Sequence, residues 1–289
     1  MSVNHSTETY VDADGIEIFV RVWRPDGDPH AAVQIAHGLG EHSGRYDRLG
    51  AALAAEGFVV FADDHRGHGE TGKTQWGGDL SKLGQLGPGG LRATEAAISQ
   101  LAGIIRERYP ELSLGLFAHS WGSMMAQRLL ERWEGQWDAI VLSGSAYRLP
   151  GFMNTGAFNK RWAKEPNATG FEWLSRDTSV GAAFLDDPFN FSAENPIKLF
   201  GLADSARLMG RPRASNHSDI PMLIIGGTED PVALNRSLQR LADAYRKVGV
   251  RVVTLSEFPE ARHELINETE PTASEAITLV ADWFGDKLK

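Results

Sequence analysis

The feature that most constrains how this chain can fold is a repeated alternation of short apolar segments with longer amphipathic ones. Short apolar runs are typical of buried parallel strands, and the amphipathic runs between them are typical of helices that cover a sheet. The predicted strands are Ala32–Ala36, Val59–Ala62, Leu114–Ala118, Ala139–Leu142, Met222–Ile225 and Arg251–Leu255. The predicted helices are Asp47–Glu56, Gly90–Tyr109, Ser120–Trp133, Leu234–Val248 and Ser274–Lys287. The pattern predicts an α/β fold with helices on both faces of a mostly parallel sheet.

The first part of the chain differs, because a turn and not a helix separates its two β-rich segments. Tyr10–Asp12 and Ile16–Trp23 lie on either side of Asp14-Gly15, a dipeptide that is typical of tight hairpins. We therefore expect an antiparallel edge at this end of the sheet. With these two strands, the predicted sheet is eight-stranded.

A second departure lies between Ser145 and Asn216, where the alternation stops and aromatic residues become frequent. These aromatic residues are Phe152, Phe158, Trp162, Phe171, Trp173, Phe184, Phe189, Phe191 and Phe200. We interpret residues 146–216 as a helical cap inserted into an α/β-hydrolase core formed by residues 1–145 and 217–289. Most of the aromatic side chains are expected to form a small core, and the others to line a pocket.

Composition excludes several classes of function. The chain of 289 residues has a formal net charge of −9 and no cluster of Lys and Arg, which argues against a nucleic-acid-binding surface. It contains no cysteine, so disulfides, thiolate catalysis and cysteine-based zinc sites are excluded. We expect neither a metal nor a cofactor. Residues 1–10 lack the pattern of a secretory signal, and no segment approaches the roughly 18 apolar residues of a membrane span, so the expected location is the cytoplasm.

The segment most informative about function is Leu114–Ser123, an apolar strand that leads through a serine directly into a helix. A nucleophile elbow needs this context, because its serine occupies a strained turn and the residues two positions away must be small. Ala118 and Gly122 meet that requirement around Ser120. Serine before a helix is also a common N-cap. The strand-turn-helix context favours a catalytic nucleophile, next to a helix N-terminus that favours an oxyanion.

A catalytic serine needs a histidine base that is itself oriented by a carboxylate. In hydrolases with such an elbow, the order along the chain is serine, acid, histidine. Two histidines lie far beyond Ser120 in the sequence. His217 precedes a predicted strand, whereas His263 follows the last one, in a loop expected at the carboxyl edge of the sheet. His263 is therefore the predicted base.

The predicted acid lies after the strand at Met222–Ile225. Asp230 follows a Gly226-Gly227 turn and precedes Pro231, which stiffens the backbone behind the carboxylate. Glu229 is the local alternative. A carboxylate before proline is also a common turn former, with no role in catalysis.

The predicted oxyanion hole consists of two backbone amides. One belongs to Trp121, the residue after the nucleophile, and the other to a loop after an early strand. That loop is His37-Gly38-Leu39-Gly40-Glu41, and its glycines allow the backbone to turn and expose an amide. We assign the second donor to Leu39, although the glycines could equally be ordinary turn residues.

Four motifs together resemble the monoacylglycerol lipase and bacterial lysophospholipase branch of the α/β-hydrolase superfamily. They are His37–Tyr46, Asp64–Gly69, the serine elbow and Ala261–Glu264, and the cap segment Trp173–Asp177 belongs to the same set. The motifs span nearly the whole chain, and their joint order is specific although each one alone is not. The resemblance implies the α/β-hydrolase fold. It also implies hydrolysis of an ester between an acyl chain and a glycerol-like alcohol, without metal or cofactor.

The resemblance also suggests roles for particular residues. In monoacylglycerol lipases the residues corresponding to Glu41 and Arg45 lie near the alcohol end of the pocket, so both are candidate substrate contacts. An ion pair that braces the loop is the alternative. Two departures from the family pattern stand out: Ala118 replaces a glycine, and Trp121 stands where methionine is commoner, which is expected to narrow the acyl site. Residues of the second motif are expected to hold a loop together and not to contact substrate: His65, Arg66 and His68.

The sequence therefore predicts a serine hydrolase that forms an acyl-enzyme on Ser120. Its expected substrates are small-molecule carboxylic esters similar to monoacylglycerols or lysophospholipids, with transient contact between the cap and a membrane or micelle. A proline iminopeptidase is the alternative enzyme, because Ser120–Ser123 also resembles that family's elbow. Its oxyanion loop typically reads His-Gly-Gly-Pro-Gly, which this chain lacks. Outside the enzymes, the alternative is a non-catalytic binding protein on a hydrolase scaffold.

Overall fold

The structure is a computed structural model that describes residues 5–132, 136–213 and 219–289. Its sheet has the strand order β1-β2-β4-β3-β5-β6-β7-β8. The strands are His5–Val11 (β1), Glu17–Trp23 (β2), Ala31–Ala36 (β3), Phe58–Asp63 (β4), Leu114–His119 (β5), Ala139–Ser143 (β6), Met222–Gly227 (β7) and Val253–Phe258 (β8). β1 and β2 form the predicted antiparallel edge, β2 also pairs antiparallel with β4, and the other neighbours pair in parallel. The prediction of a mostly parallel eight-stranded sheet is confirmed.

The α-helices lie between the strands and after the last one. They are Asp47–Ala55 (α1), Gly69–Gln75 (α2), Gly90–Arg108 (α3), Trp121–Leu129 (α4), Thr178–Asp186 (α5), Pro196–Arg207 (α6), Ser237–Lys247 (α7) and Thr272–Lys287 (α8). α2 is absent from the predicted helices, because it is short, polar and contains glycine. The predicted extension of α4 was wrong between Leu130 and Arg132, and Trp133 lies outside the described residues. No helix in the described ranges is long and apolar enough to span a bilayer.

Side chains of the inner strands are buried on both faces of the sheet, which explains why these segments read as continuous apolar runs. One face packs against α3, α4 and α7, where Leu101, Met125 and Leu241 are buried. The other packs against α1 and α8, where Leu53 and Phe284 are buried. Each fully buried side chain of this kind contributes about 1.5–3 kcal/mol. The sheet is therefore a firm platform for the groups at its edge.

Between β6 and β7 the chain leaves the sheet and forms α5, α6 and short 3-10 helices. Aromatic pairs hold this region together, with ring centroids 4.7 Å apart for Phe158 and Trp173 and 4.5 Å apart for Phe171 and Phe184. α6 is broken at Gly201, whose φ of 86° is not helical. The division into a core and a cap at residues 146–216 stays our interpretation, and its end at 216 lies outside the described residues.

Candidate active site

Ser120 lies in the sharp turn between β5 and α4. Its φ of 51° and ψ of −119° are unusual for a residue with a side chain and indicate the strained turn that an elbow requires. Its hydroxyl makes no capping bond to α4. The Oγ atom instead lies 2.8 Å from Nε2 of His263. The N-cap interpretation is therefore not the one that the structure supports.

Two glycines allow the backbone to approach the serine closely. A Cβ atom on Gly122 would lie 2.3 Å from the carbonyl oxygen of Ala36 and 2.5 Å from that of His37. A Cβ atom on Gly38 would lie 3.1 Å from Cβ of Ser120. The elbow and the loop after β3 can thus be adjacent only because both positions lack a side chain.

His263 and Asp230 complete a hydrogen-bonded chain. Nδ1 of His263 donates to Oδ2 of Asp230 at 2.9 Å, and the other carboxylate oxygen accepts from the amide of Val232 at 2.8 Å. Asp230 and His263 are both buried. A Cβ atom on Gly227 would lie 2.0 Å from the carbonyl oxygen of Ala261, so the ends of β7 and β8 approach each other as closely as the backbone permits.

Glu229 points elsewhere. Its carboxylate accepts from the exposed Arg161 of the cap at 2.8 Å. The geometry therefore brings Asp230, and not its neighbour, to the imidazole. His217, the other histidine considered as a base, lies outside the described residues.

The electrostatic surroundings of His263 raise the pKa of its imidazole, because the ring lies next to the carboxylate of Asp230. Burial by itself lowers the pKa of His263. The charge of Asp230 and its hydrogen bond raise the pKa by more than burial lowers it, so the pKa lies above the ordinary value. The neighbouring His119 differs, because burial and the proximity of His263 lower its pKa to about 4. Of these two adjacent rings, only His263 is paired with a carboxylate.

The loop after β3 lies beside the elbow, where an oxyanion would form. Leu39, Ser120 and Trp121 line one cavity. The amide of Gly38 already donates to Glu41 Oε1 at 2.6 Å, which leaves the next amide, that of Leu39, directed at no described acceptor. Trp121 is the first residue of α4, so its amide has no partner within the helix. Both amides are suitable donors to a negatively charged oxygen.

Two cavities of contrasting chemistry meet at Ser120. The first, which we term the apolar pocket, has a volume of about 60 Å³. It is lined by Leu39, Ser120, Trp121, Met124, Met153, Asn154, Thr155, Phe158, Trp173, Ala193, Pro196, Leu208 and Val232. Five of these residues also line an outer groove of about 670 Å³ in the cap: Met153, Asn154, Thr155, Pro196 and Leu208. The apolar pocket therefore leads outward beneath the cap.

The second cavity, which we term the polar pocket, has a volume of only about 10 Å³. It is lined by Gly38, Leu39, Glu41, Arg45, His119, Ser120, Trp173, Leu174, Phe184, His263 and Glu264. Arg45 donates to both carboxylates, at 2.9 Å to Glu41 and at 2.5 and 2.8 Å to Glu264. Burial acts to raise the pKa of Glu264, but the Arg45 guanidinium outweighs it and holds the value at about 2. Glu264 is therefore ionised at neutral pH.

The second motif lies behind the loop after β3. The rings of His37 and His65 stack with centroids 3.8 Å apart, and the ring of His68 stacks on Trp121 at 5.2 Å. Arg66 donates to Asp14 at 2.8 Å. These contacts join neighbouring loops, as expected for residues that hold a loop together.

Several contacts of the site escaped the sequence interpretation. Glu264 ends the motif Ala261–Glu264 and has no predicted role of its own, and its pairing with Arg45 joins positions 219 residues apart. The cap segment lies directly on the histidine loop, because the amide of Glu264 donates to the carbonyl of Leu174 at 2.8 Å and Arg262 donates to that of Ser175 at 2.9 Å. The sequence contained one indication of this contact, because Trp173–Asp177 and Ala261–Glu264 both belong to the set of motifs that resemble the family.

The chain is similar to known proteins along nearly its whole length. Residues 27–270 match the family model described as serine aminopeptidase, S33 (Hydrolase_4). The chain is 30% identical over 285 residues to a monoacylglycerol lipase of Mycolicibacterium smegmatis, covering 93% of this chain and 94% of that protein. It is 33% identical over 275 residues to the monoglyceride lipase of Homo sapiens, covering 89% and 87%. A carboxyl esterase from Bacillus coagulans in complex with glycerol has the same fold, with a TM-score of 0.83, 24% identity and 99% of both chains covered.

Proposed function

Because the chain belongs to the serine aminopeptidase S33 family of α/β-hydrolases and is a lipase-like carboxylic ester hydrolase, we propose that it cleaves monoacylglycerol- or lysophospholipid-like esters through an acyl-enzyme on Ser120. One observation carries the proposal: the hydrogen-bonded chain from Ser120 through His263 to Asp230. A hydroxyl becomes an effective nucleophile when a base in hydrogen-bond reach takes its proton and a carboxylate orients that base.

In the proposed reaction, Ser120 Oγ attacks the ester carbonyl carbon while Nε2 of His263 takes the hydroxyl proton. Asp230 stabilises the imidazolium that forms, and the amides of Leu39 and Trp121 donate to the oxyanion. The intermediate collapses when the C–O bond to the alcohol breaks and His263 returns the proton to the leaving oxygen. Water then attacks the acyl-enzyme by the same steps, which releases the acid and restores Ser120.

The two cavities suggest how an ester would lie. None of the described residues that line the apolar pocket carries a charge, so this pocket suits an acyl chain. The polar pocket also borders Ser120, and its polar lining suits the alcohol. The volume of the apolar pocket, about 60 Å³, leaves little room beside the bulky Trp121. We therefore infer a preference for short and medium acyl chains in this conformation.

The peptidase alternative fits less well. An aminopeptidase of this mechanism binds the free α-amino group on the acyl side of the scissile bond, where a carboxylate is needed to pair with it. The described lining of the apolar pocket offers only uncharged side chains. The oxyanion loop also lacks the His-Gly-Gly-Pro-Gly pattern. Ester hydrolysis is the function that these features favour.

The cap also suits transient contact with a membrane or micelle. Three large aliphatic side chains of α5 and α6 are exposed: Leu185 at 60%, Ile197 at 51% and Leu202 at 69%. Ile197 and Leu202 border the outer groove that leads to the apolar pocket. Apolar side chains at the mouth of a lipid-binding groove favour contact with an aggregated substrate.

A covalent probe tests the proposal directly. A fluorophosphonate should label the protein at Ser120, and Ser120→Ala should abolish labelling. A folded protein without labelling would favour the non-catalytic binding protein. Rates should then be compared for p-nitrophenyl esters from acetate to palmitate, a monoacylglycerol, lysophosphatidylcholine and a prolyl-naphthylamide. Faster cleavage of the amide than of every ester would overturn the esterase assignment in favour of a peptidase.

A further inference from the structure

The cap helix α6 ends at the wall of the apolar pocket. Leu208, which directly follows α6, is buried and lines both the apolar pocket and the outer groove. An acyl chain that extends from the pocket into the groove must therefore pass beside Leu208. Because the pocket has a volume of only about 60 Å³, the position of this side chain affects how long a bound acyl chain can be.

Two buried arginines hold the end of α6. A guanidinium nitrogen of Arg148 donates to the carbonyl oxygen of Leu208 at 2.7 Å, and the backbone carbonyl of Arg148 accepts from the amide of Gly210 at 2.9 Å. Arg128 of α4 donates to the carbonyl oxygen of Arg207. The last carbonyl groups of a helix have no partner within it and carry partial negative charge, so cations stabilise them. The two arginines thus fix the backbone on either side of Leu208.

Arg148 is itself held by a buried polar network. Its Nε donates to Oε1 of Gln127 at 2.9 Å, and Nε2 of Gln127 donates to Oγ of Ser145 at 3.0 Å. Oγ of Ser145 lies 2.9 Å from Oγ of Ser123, which donates to the carbonyl oxygen of Ser120 at 2.6 Å. The four residues that form this link are each at most 1% exposed. The network therefore runs from the backbone of the elbow to the end of α6.

This network sets the distance between two walls of the apolar pocket. α4 contributes Ser123 and Gln127, which lie four residues apart and so share one face of the helix. The same helix supplies Trp121 and Met124 to the lining of the pocket. A buried polar group that loses its partner costs about 1–3 kcal/mol, so the members of the network cannot readily separate. Arg148 therefore holds the end of α6 at a fixed distance from α4.

We propose that Arg148 is a positioning residue that determines acyl-chain selectivity. It holds Leu208 in place and so keeps the passage from the apolar pocket to the outer groove narrow. Arg148 belongs to the described lining of neither cavity, so it acts through Leu208 and not by contact with the substrate. The inference rests on the proposed function, because the passage affects selectivity only if the apolar pocket receives the acyl chain of an ester.

Two p-nitrophenyl esters that differ only in the acid, acetate and decanoate, test the proposal. Arg148→Met keeps most of the side-chain volume and removes every hydrogen bond of the guanidinium. We expect the ratio of kcat/KM for decanoate to that for acetate to rise about tenfold, which is the discrimination that about one buried methylene provides. The rate on acetate should change little. Arg148→Lys, which keeps a charged donor for Leu208, should return the ratio toward the wild-type value.

Two further variants complete the experiment. Leu208→Ala removes the side chain that Arg148 is proposed to hold, so it should raise the same ratio. Arg246→Met is the matched control, because Arg246 also donates to a backbone carbonyl, that of Val253 at 2.8 Å, but lies on the exposed surface of α7. Its ratio should equal that of the wild type.

The outcomes are distinct. A higher ratio in Arg148→Met and in Leu208→Ala, with recovery in Arg148→Lys, supports the proposal. A ratio that stays at the wild-type value or falls in folded Arg148→Met overturns it, because a purely structural role would lower the Tm alone. If Arg148→Met does not fold, Gln127→Met, which removes the partner that orients Arg148, makes the same comparison. Wild-type protein that cleaves neither ester and is not labelled by a fluorophosphonate would refute the proposed function itself.

Discussion

The carboxyl edge of the sheet and the cap both reach Ser120, but they are built differently. The proposed nucleophile, acid and base follow β5, β7 and β8; β5 and β7 are buried on both faces, and β8 is the partly exposed edge strand paired with β7. The cap reaches the same place with irregular segments and a helix that is broken at Gly201. The comparison teaches that groups which exchange a proton must be held at fixed distances, which regular strands can do. The shape of an acyl site instead depends on individual side chains, each of which can be replaced without replacing the others.

The largest expected effect tests the sheet edge. Replacing Ser120 or His263 by alanine should lower kcat on p-nitrophenyl butyrate by a factor on the order of 10⁶, because either change removes the whole proton-transfer unit. Ser81→Ala, at an exposed serine far from the site, should leave the rate unchanged. Steady-state kinetics with active-site titration measures both. Near-normal turnover in His263→Ala would contradict the assignment of the base.

A smaller effect distinguishes two adjacent carboxylates at the same edge. Asp230→Asn should lower kcat about 10⁴-fold, because an amide cannot hold the imidazole in the required tautomer. Glu229→Gln should change kcat less than about twofold, since it removes only an exposed ion pair with the cap. The reverse order of the two effects would make Glu229 the acid.

The pH dependence of kcat/KM also tests the residues at the carboxyl edge of the sheet. Because the charge of Asp230 holds the pKa of His263 above its ordinary value, the imidazole becomes protonated at a higher pH than an isolated histidine. Activity requires the neutral base. The rate should therefore fall about tenfold per unit as the pH decreases through a value above about 6.5. A limb below that value would show that another group controls the rate.

The next effect concerns the acyl site, where the core meets the cap. Trp121 lines the apolar pocket and stacks on Phe200 of α6, with centroids 5.8 Å apart. Trp121→Met keeps the backbone amide and removes the bulk. It should raise kcat/KM for p-nitrophenyl palmitate relative to acetate about tenfold, which is the effect of about one buried methylene. Trp76→Met is the control. An unchanged ratio of kcat/KM for palmitate to that for acetate in Trp121→Met would show that Trp121 does not determine the preferred chain length.

The smallest effect concerns the attachment of the cap to the core. Asp204 of α6 accepts from the amide of Leu91 at 2.9 Å, at the start of α3, whose own N-cap Gly89 has no side chain. Asp204→Ala should reduce the free energy of unfolding by about 1 kcal/mol, the usual contribution of a cap. Urea denaturation measures the change, with Asp282→Ala on the exposed face of α8 as control. Equal stability of the two variants would mean that α6 does not cap α3.

The sequence predicted the sheet edge better than the cap for a physical reason. Buried strands require apolar runs that are visible locally, so the starts of β3, β4, β5, β6 and β7 were predicted within one residue, and the start of the edge strand β8 within two. The elbow was visible too, because Ser120 and Gly122 must occur together at one turn. The catalytic candidates therefore came from local patterns and from the order in which they occur.

Contacts between distant segments were not predictable in this way. The pairing of Arg45 with Glu264 depends on the return of the chain after β8, and nothing near either residue indicates the other. α2 was missed because two glycines and polar residues give it no apolar periodicity. The contacts of Glu41 with Gly38 and Tyr46 likewise required positions that only the folded chain provides.

β6 lies between the strands that precede Ser120 and Asp230, and the residue that follows it has no side chain. Neighbouring strands are spaced about 4.8 Å apart, so β5 and β8 are separated by about 14 Å, and the side chain of His263 must extend across the end of β6 to reach Ser120. Gly144 stands there, where an added methyl group would lie 2.8 Å from the His119 ring and 3.0 Å from that of His263. A design that places the same three side chains on another scaffold would therefore also need a residue without a side chain at the position of Gly144.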